Sequence, residues 1–274
     1  MNPLNLLRQR LPLPILVLVG VLAGLFAGVI VFRAVDGELM RRAWDEAIAH
    51  PGEVVIASAA FGIAFLLRAI AWQLVLPELS LGHSLAGIHL TLGANHVLPF
   101  RLGEPVRVLS VAKRSNTSID AATASTVMLR SADIIAIFLL GLAVAPGAYM
   151  DLVGWFGWLV VAGVVIAAVA SWSWLLRMAG RSDIKLPGPF ALALTGSAWL
   201  LEAILVWQTA RWAGLEISAT DAALVTTVAV AAQIAAIAPG GFGTYEAAAV
   251  AAYVSLGYDA EPALVAALSA HALK

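Results

Sequence analysis

Long apolar runs with few charged side chains dominate this chain and restrict what it can fold into. The runs have lengths near the roughly 20 residues that carry a helix across the hydrocarbon of a bilayer. They cover residues 11–32, 54–76, 121–145, 152–176, 189–210 and 222–238. Only 12% of the residues are charged, whereas soluble domains usually carry about 25%. The chain is therefore predicted to be a polytopic integral membrane protein.

The character of the runs decides between helices and strands. They are rich in Ala, Leu and Val and lack the alternation that marks a strand. We therefore expect an all-α fold with about six to eight membrane segments, because helices satisfy their own backbone in lipid. The run at residues 11–32 exceeds the roughly 7–15 apolar residues of a signal peptide, so we interpret it as a first span. The mixed-charge residues 33–53 are expected to form a solvated or interfacial helix.

Composition and motifs argue against several classes of function. The net charge is −1, so no basic excess indicates nucleic-acid binding, and the chain has no cysteine for disulfides or thiolate metal sites. His89 and His96 are seven residues apart, but no acidic residue completes a metal-binding spacing. No nucleophile, phosphate-loop or paired-carboxylate motif is present. We expect no metal, no cofactor and no enzymatic activity.

Two apolar units are interrupted by similar proline and glycine residues. The first unit covers about residues 84–111 and contains "LPFRLGE", and the second covers about residues 226–256 and contains "APGGFGTYE". In each unit an amide side chain, Asn95 or Gln233, precedes the proline, and a carboxylate opens the next helix. The residues of the breaks are Pro99, Gly103 and Glu104 in the first unit, and Pro239, Gly240, Gly241, Gly243 and Glu246 in the second.

Such breaks are costly inside a membrane, because proline and glycine leave backbone groups without helical partners. An unpaired group in hydrocarbon costs several kcal/mol, so a break survives only where protein or a water-filled cavity satisfies it. Paired broken segments are a sequence indicator of a central transport site. We therefore predict two re-entrant hairpins. Three spans separate them, which predicts an inverted repeat within one domain of residues 1–274, with halves 1–115 and 116–274.

Ionisable residues in membrane segments are candidate functional residues by default, because charge is expensive there. Inside the predicted spans these are Arg68, Arg130, Asp133 and Glu202; at the breaks they are Arg101, Glu104, Arg107 and Glu246. Arginine forks next to exposed helix N-termini suit a phosphate-bearing headgroup. Two alternatives remain open: the charges neutralise one another as packing contacts, or Glu104 and Glu246 only favour the dipoles of their helices.

Four stretches resemble one known family along nearly the whole chain. They are "NHVLPFRLGEPVRVLSVAKR", "LRSADIIAIFLLGL", "WLLEAILVWQTARWAGL" and "APGGFGTYEAAAVAAYVSLGYDAEPALVAAL". They are similar to the membrane region of lysylphosphatidylglycerol synthase and its stand-alone, YbhN-like flippase-domain relatives. Leu129 departs from the family pattern, which commonly has Glu before the R-x-x-D residues. The chain also stops where relatives continue through another span, so a truncated C-terminus is expected.

The resemblance implies a lipid translocator of the flippase or scramblase type, acting on a phospholipid or another phosphate-bearing lipid. In that reading Arg101, Arg107 and Arg130 contact the phosphate, with Asn95 and Arg68 in the same site. The carboxylates of Glu104, Asp133, Glu202 and Glu246 hold the arginines or an amine on the lipid. The glycines of the breaks allow close approach of the backbone, and the second break supplies backbone donors. Lysyl transfer is not expected, since every long segment is membrane-like and no soluble domain is present.

Two other functions are weighed against lipid transport. A membrane enzyme acting on a lipid-linked substrate would use Glu104 or Asp133 as a base, and a scaffold would organise a lipid-synthesis complex without transport. The expected partners are a membrane lipid, and a second copy of the chain or a lipid-synthesis enzyme. With a re-entrant first unit, seven basic residues share one side of the membrane against four on the other; the seven are Arg8, Arg10, Lys113, Arg114, Arg177, Arg181 and Lys185. With a full crossing there, the count is eight against three, and the re-entrant interpretation is preferred because it also explains the break. The chain is predicted to lie in the bacterial inner membrane with its N-terminus in the cytoplasm.

Overall fold

The fold is all α-helical over the residues that the structure describes. This computed structural model describes residues 13–144, 146–147, 154, 156–179, 184–234 and 236–274. These residues form eleven α-helices and no strand, which confirms the predicted fold class. The helices are α1 (Leu13–Ala34), α2 (Gly37–Ala49), α3 (Pro51–Val75), α4 (Leu81–Val97), α5 (Gly103–Arg114), α6 (Ile119–Val144), α7 (Phe156–Ala179), α8 (Pro189–Trp212), α9 (Ala219–Gln233), α10 (Thr244–Ser255) and α11 (Ala260–Ala272).

Four of the described helices are long and apolar enough to cross a membrane. They are α3, α6, α8 and the part of α1 from Val17 to Ala34. The prediction of a multi-pass membrane protein is thereby confirmed. The predicted starts of the spans at residues 11–32 and 152–176 lie outside the described residues. So do Arg8, Arg10 and Arg181, which were counted for the orientation.

Local sequence signals set where several helices begin. Pro51 and Pro189 occupy the first turns of α3 and α8, where a missing amide hydrogen costs nothing. Ser80 caps α4 by accepting a hydrogen bond from the backbone of His83. Ser218 and Asp221 form a reciprocal capping box at α9. These caps satisfy backbone donors that would otherwise be unpaired at the helix starts.

The two interrupted units fold back as helical hairpins. In the first hairpin (α4 and α5), the Asn95 side chain accepts a hydrogen bond of 2.8 Å from the backbone of Gly103. In the second hairpin (α9 and α10), Tyr258 follows α10 and donates a hydrogen bond of 2.8 Å to Asp221 at the start of α9. The run predicted at residues 222–238 ends as a helix at Gln233, so α9 is a short inbound arm. The inverted relation between the hairpins stays a prediction.

Each hairpin packs into a different hydrophobic core. The first core contains Trp72 of α3, Ile88 of α4 and Met128 of α6. The second contains Val225 of α9 and Tyr245 of α10, together with side chains of α2, α8 and α11. Helix α8 contributes to both cores and packs along the length of α3. The α3–α8 pair therefore forms a central support that fixes the two hairpins relative to each other.

Helix α2 is amphipathic and lies at the surface, as predicted for residues 33–53. Ala43 and Ala47 are buried, while Arg41 forms ion pairs of 2.8 Å with Glu38 and with Asp45 on the exposed face. A hydrogen bond and positive charge from Arg41 lower the pKa of Glu38. Exposed pairs of this kind contribute little to stability. The helix is held by its alanine face, which packs on the second core.

Helix α1 contacts the tips of both hairpins through a stripe of glycines. A Cβ atom added at Gly20 would overlap the ring of Pro99, and one at Gly24 would come within 3.2 Å of the Pro239 ring. Gly28 is next in the same register and faces Phe242. Glycines spaced four residues apart allow such close helix packing in membranes. Helix α1 therefore lies across the point where the two hairpins meet.

This packing predicts opposite effects for two identical substitutions. Gly20→Ala should destabilise the protein by about 1–3 kcal/mol, because its methyl group overlaps a rigid proline ring. Gly62→Ala in α3 is the control, since a Cβ there meets no atom within 4 Å. The control should gain up to about 1 kcal/mol from helix propensity. The midpoint of detergent-induced unfolding measures both, and equal shifts for the two variants would contradict the placement of α1.

Candidate functional site

The tips of the two hairpins are joined by hydrogen bonds. The backbone N–H of Phe100 donates to the carbonyl of Ile237 at 3.1 Å. The Arg101 guanidinium donates to the carbonyl of Gln233 at 2.9 Å. Gln233 is the last residue of α9, and Ile237 lies in the break that follows it. The two breaks therefore satisfy part of each other's backbone, which is what a break inside a membrane requires.

Unusual backbone conformations concentrate at these tips. Phe100 and Arg101 have φ angles of 56° and 54°, in the left-handed region that residues other than glycine seldom adopt. Conformations of this kind cost on the order of 1–3 kcal/mol each and persist only where the surroundings hold them. Gly240 and Gly241 have φ angles of 66° and 75°, which glycine adopts without strain. From this left-handed tip the Arg101 side chain reaches across to Gln233 of the second hairpin.

A polar cavity of about 130 Å³ lies where the tips meet. Seven of the residues predicted for the site line it: Arg68, Asn95, Arg101, Arg130, Glu202, Gly240 and Gly241. Helices α3, α6 and α8 thus supply charged side chains from the spans, and the hairpins supply the rest. The structure brings together residues that are up to 173 positions apart in the chain, from Arg68 to Gly241.

One charged group on the wall of this cavity consists of Glu202, Arg68 and Lys274. The Glu202 carboxylate accepts a hydrogen bond of 2.9 Å from Arg68 and one of 2.6 Å from Lys274. All three side chains are largely buried, and the Arg68 guanidinium lies 4.2 Å above the ring of Trp199. Cation–π contact and ion pairing together offset the desolvation of Arg68.

Arg130 forms a second charged group with two carboxylates. It donates to Glu104 at 2.7 Å and to Asp133 at 2.9 Å. Glu104 lies at the start of α5 and Arg130 in the middle of α6, so the pair ties the first hairpin to a membrane span. Leu129 occupies the place where a family carboxylate was expected, and it is buried. Glu104 supplies a carboxylate to Arg130 from the neighbouring helix.

Arg101 is the cation in the cavity without an acidic partner among the residues that the structure describes. Among the described residues no carboxylate lies within 4.0 Å of its guanidinium, and its hydrogen bond to Gln233 uses one nitrogen. Arg68, Arg101, Arg130 and Lys274 line the cavity, and three carboxylates pair with them: Glu104, Asp133 and Glu202. With histidines neutral, the group carries one excess positive charge.

Arg107 lies away from the main cavity, in contrast to its predicted contact with a phosphate. It is 4% exposed, and its guanidinium stacks 3.7 Å above the ring of Trp72. With Asp133, it lines a separate space of only about 30 Å³. Arg107 therefore packs the first hairpin onto α3. The alternative in which a charge serves as a packing contact fits this residue.

Glu246 also lies outside the wall of the main cavity. It accepts a hydrogen bond of 2.7 Å from the backbone of Gly243, so it caps α10. Its other oxygen is 2.6 Å from Nδ1 of His271, whose Nε2 is 3.1 Å from the carbonyl of Gly240. This position at the start of α10 fits the alternative in which Glu246 favours the dipole of its helix. Its link through His271 still fixes the second tip.

The second break was predicted to offer backbone N–H donors to a ligand. This is wrong for three of its N–H groups, which already have hydrogen-bond partners. The N–H of Gly241 donates to Ala238, that of Phe242 donates to Pro239, and that of Gly243 donates to Glu246. Local turns and a cap thus satisfy these donors within the hairpin. The second break contributes shape to the cavity, and the side chains contribute the charge.

Several lining residues escaped the sequence argument. His271 lies within the apolar residues 262–273 and Lys274 directly follows them, and both line the cavity. Their polar character in and next to that stretch was the available signal. His96 was considered only as a metal ligand, and among the described residues no three metal-binding side chains cluster. The glycine stripe of α1 was visible as G-x-x-x-G-x-x-x-G but was not used.

The sequence matches one family model over most of its length. A family model described as the lysylphosphatidylglycerol synthase TM region matches residues 16–274. The chain belongs to this family, as its motifs predicted. Comparisons with curated proteins and with solved structures each gave no significant match.

Removing the shared carboxylate of Glu202 should expose the cost of buried, unpaired cations. We expect Glu202→Met to lower the free energy of unfolding by about 3–5 kcal/mol, because Arg68 and Lys274 lose their common partner. The double variant Arg68→Met/Glu202→Met should recover part of that loss, since one of the two cations is gone. Detergent-induced unfolding measures these differences.

The exposed Glu78 in the turn after α3 provides the control for this series. Glu78→Met should change the stability by no more than about 0.5 kcal/mol. A double variant less stable than Glu202→Met would contradict the inferred charge pairing between Arg68 and Glu202.

Proposed function

We propose that this member of the lysylphosphatidylglycerol synthase TM region family translocates a phosphate-bearing lipid across the bacterial inner membrane. The substrate is a phospholipid or a related anionic or zwitterionic lipid, and the N-terminus is cytoplasmic. The headgroup binds in the cavity between the hairpin tips. The chain acts as a transporter rather than an enzyme. Its partners are the lipid and, in the membrane, a second copy or a lipid-synthesis enzyme.

The observation that carries the proposal is the position of Arg101. Its guanidinium lies at the meeting point of two broken helices, without a carboxylate partner among the described residues. A guanidinium binds phosphate through charge-assisted, often bidentate hydrogen bonds. Arg68 and Arg130 line the same cavity but already hold carboxylates. An entering phosphate therefore has its strongest free partner in Arg101.

The size of the cavity suits a headgroup rather than a whole lipid. It encloses about 130 Å³, whereas sites for drug-sized ligands enclose roughly 300–1,000 Å³. A phosphate with a small substituent fits this volume, and the acyl chains must remain in apolar surroundings. This division matches a transporter that carries the polar group through protein and leaves the chains on its lipid side.

Competition at the tip contact gives a route from binding to movement. The Gln233 carbonyl accepts from Arg101 and also from the N–H of Ala236. A phosphate that takes over the guanidinium removes one of the hydrogen bonds that join the tips. The carbonyl keeps its local donor, so it is not left unpaired. Binding therefore favours separation of the hairpins, and the sequence contains no nucleotide-binding motif to drive it.

A non-transporting scaffold is the second candidate. The observation that favours it is the hydrogen-bonded contact between the tips, which leaves little open space between the hairpins. In that function the charged groups would only stabilise the fold around the breaks. Transport by the purified chain distinguishes the two candidates.

The test is lipid movement in proteoliposomes that contain the purified chain and a fluorescent phospholipid. We expect the chain to equilibrate the label between leaflets, and Arg101→Ala to slow the initial rate about tenfold, because charge-assisted hydrogen bonds to phosphate are lost. Arg114→Ala is the matched control at the exposed end of the same hairpin, and it should retain the wild-type rate.

The outcomes separate the three functions. No movement above protein-free vesicles, with folded protein, would favour the scaffold. Equal rates for wild type and Arg101→Ala would refute the assigned site even if transport occurs. Chemical conversion of the labelled lipid, detected by mass spectrometry, would favour an enzyme.

A further inference from the structure

A second, larger cavity adjoins the polar one and is apolar. It encloses about 620 Å³ between α1, α2, the second hairpin tip and α11. Its wall includes Val21 and Leu25 of α1, Trp44 of α2, Phe242 of the tip and Leu268 of α11. We call this space the α1 groove. Its volume lies within the roughly 300–1,000 Å³ of typical ligand sites.

The α1 groove and the polar cavity are adjacent and share part of their walls. His96, Gly240 and His271 line both spaces. The two histidine rings have centroids 6.1 Å apart, and Gly240 lies close to both of them. A ligand could therefore place a polar group on one side of this border and an apolar group on the other.

We propose that the α1 groove binds one acyl chain of the lipid whose phosphate lies at Arg101. This inference rests on the proposed function and narrows its substrate to lipids with a hydrocarbon chain close to the phosphate. The groove then acts as a specificity site: the cavity selects the headgroup, and the groove selects the chain.

The composition of the wall argues for hydrocarbon as the occupant. Apart from the shared histidines, the wall is built mainly from aliphatic and aromatic side chains, with Ser269 and Met40 in contact at 3.9 Å. Leu25 is 63% exposed and belongs to a helix long enough to cross a membrane. With α1 spanning the bilayer, an acyl chain would reach this side of the helix directly from the hydrocarbon.

The position of Arg101 indicates that a ligand of the groove also carries a phosphate. Arg101, which has no carboxylate within 4.0 Å among the described residues, lines the polar cavity across the histidine border. A protein helix seated in the groove would leave this cation unmatched. A lipid satisfies both spaces with one molecule, since it joins an anionic group to an apolar chain.

The close contact of α1 with the second tip connects the groove to hairpin movement. Gly24 lines the groove and touches the ring of Pro239, which also lines it. A chain lying there contacts the same proline ring that holds α1 against the tip. An acyl chain in the groove and a separation of the two hairpin tips would therefore both change the contact between α1 and the Pro239 ring.

Photolabelling of the full chain in nanodiscs tests this inference. The probe is phosphatidylglycerol with a diazirine in the middle of one acyl chain, and the comparison lipid is diacylglycerol with the same chain. Adducts are mapped by mass spectrometry. We expect the phosphate-bearing probe to label groove residues of α1 and α11 at least about fivefold more strongly, since only this probe gains hydrogen bonds at Arg101.

Matched substitutions in one helix assign the label to the groove. Leu25→Trp fills the groove and should lower labelling of α11 about fivefold or more, by steric exclusion. Leu22→Trp makes the same change at an exposed position of α1 outside the groove, and it should leave labelling unchanged. Val21→Trp repeats the test if Leu25→Trp reduces folding. Arg101→Ala should lower groove labelling by the same factor.

Several results would overturn the inference. Equal labelling by the two lipids, or labelling insensitive to Arg101→Ala, would identify the groove as ordinary lipid-facing surface. Labelling that neither Leu25→Trp nor Val21→Trp reduces would place the acyl chain outside the groove. Transport that depends on Arg101 without groove labelling would refute the groove and leave the proposed function standing. Loss of both Arg101-dependent labelling and transport would refute both, whereas labelling without transport would support the groove and refute translocation.

Discussion

The rest of this structure depends on how the chain satisfies two broken helices inside a hydrophobic protein. A proline and nearby glycines interrupt each hairpin, and the exposed backbone groups need partners. The structure solves this by bringing the tips together, so that the Phe100 N–H meets the Ile237 carbonyl. Helix α1 covers the junction with glycines, which let it approach the proline rings. The breaks thereby create the meeting point at which a polar cavity can exist.

Charge in the membrane segments follows from the same arrangement. Most of the buried ionisable groups are paired: Arg130 with Glu104 and Asp133, and Glu202 with Arg68 and Lys274. Such pairs lower the cost of burial but leave little free capacity for a ligand. Arg101 differs because a backbone carbonyl, which carries no net charge, is its partner. The binding capacity of the site therefore rests on the residue with the weakest internal compensation.

The sequence predicted the membrane class, the long apolar helices, the two hairpins and four of the five Arg, Lys and Glu residues described in the wall of the polar cavity, because the cost of burying charge makes such residues rare in long apolar runs. It could not separate Arg101 from Arg107, which have the same chemistry and lie six residues apart on one hairpin. What distinguishes them is tertiary: Arg107 stacks on Trp72 from α3, whereas Arg101 sits on a left-handed tip. Likewise, the capping role of Glu246 and its contact with His271 depend on how α11 packs beside the second hairpin.

The tip of the second hairpin borders the polar cavity on one side and the α1 groove on the other. Gly240 lines the polar cavity and the α1 groove, and its carbonyl is within hydrogen-bond distance of both Gln233 and His271. A residue with a side chain would need a strained left-handed backbone at this φ of 66°. A glycine here keeps the border between polar and apolar space only one backbone thick. A lipid, whose phosphate and hydrocarbon are separated by a few bonds, is the kind of molecule that can occupy both sides of so thin a border.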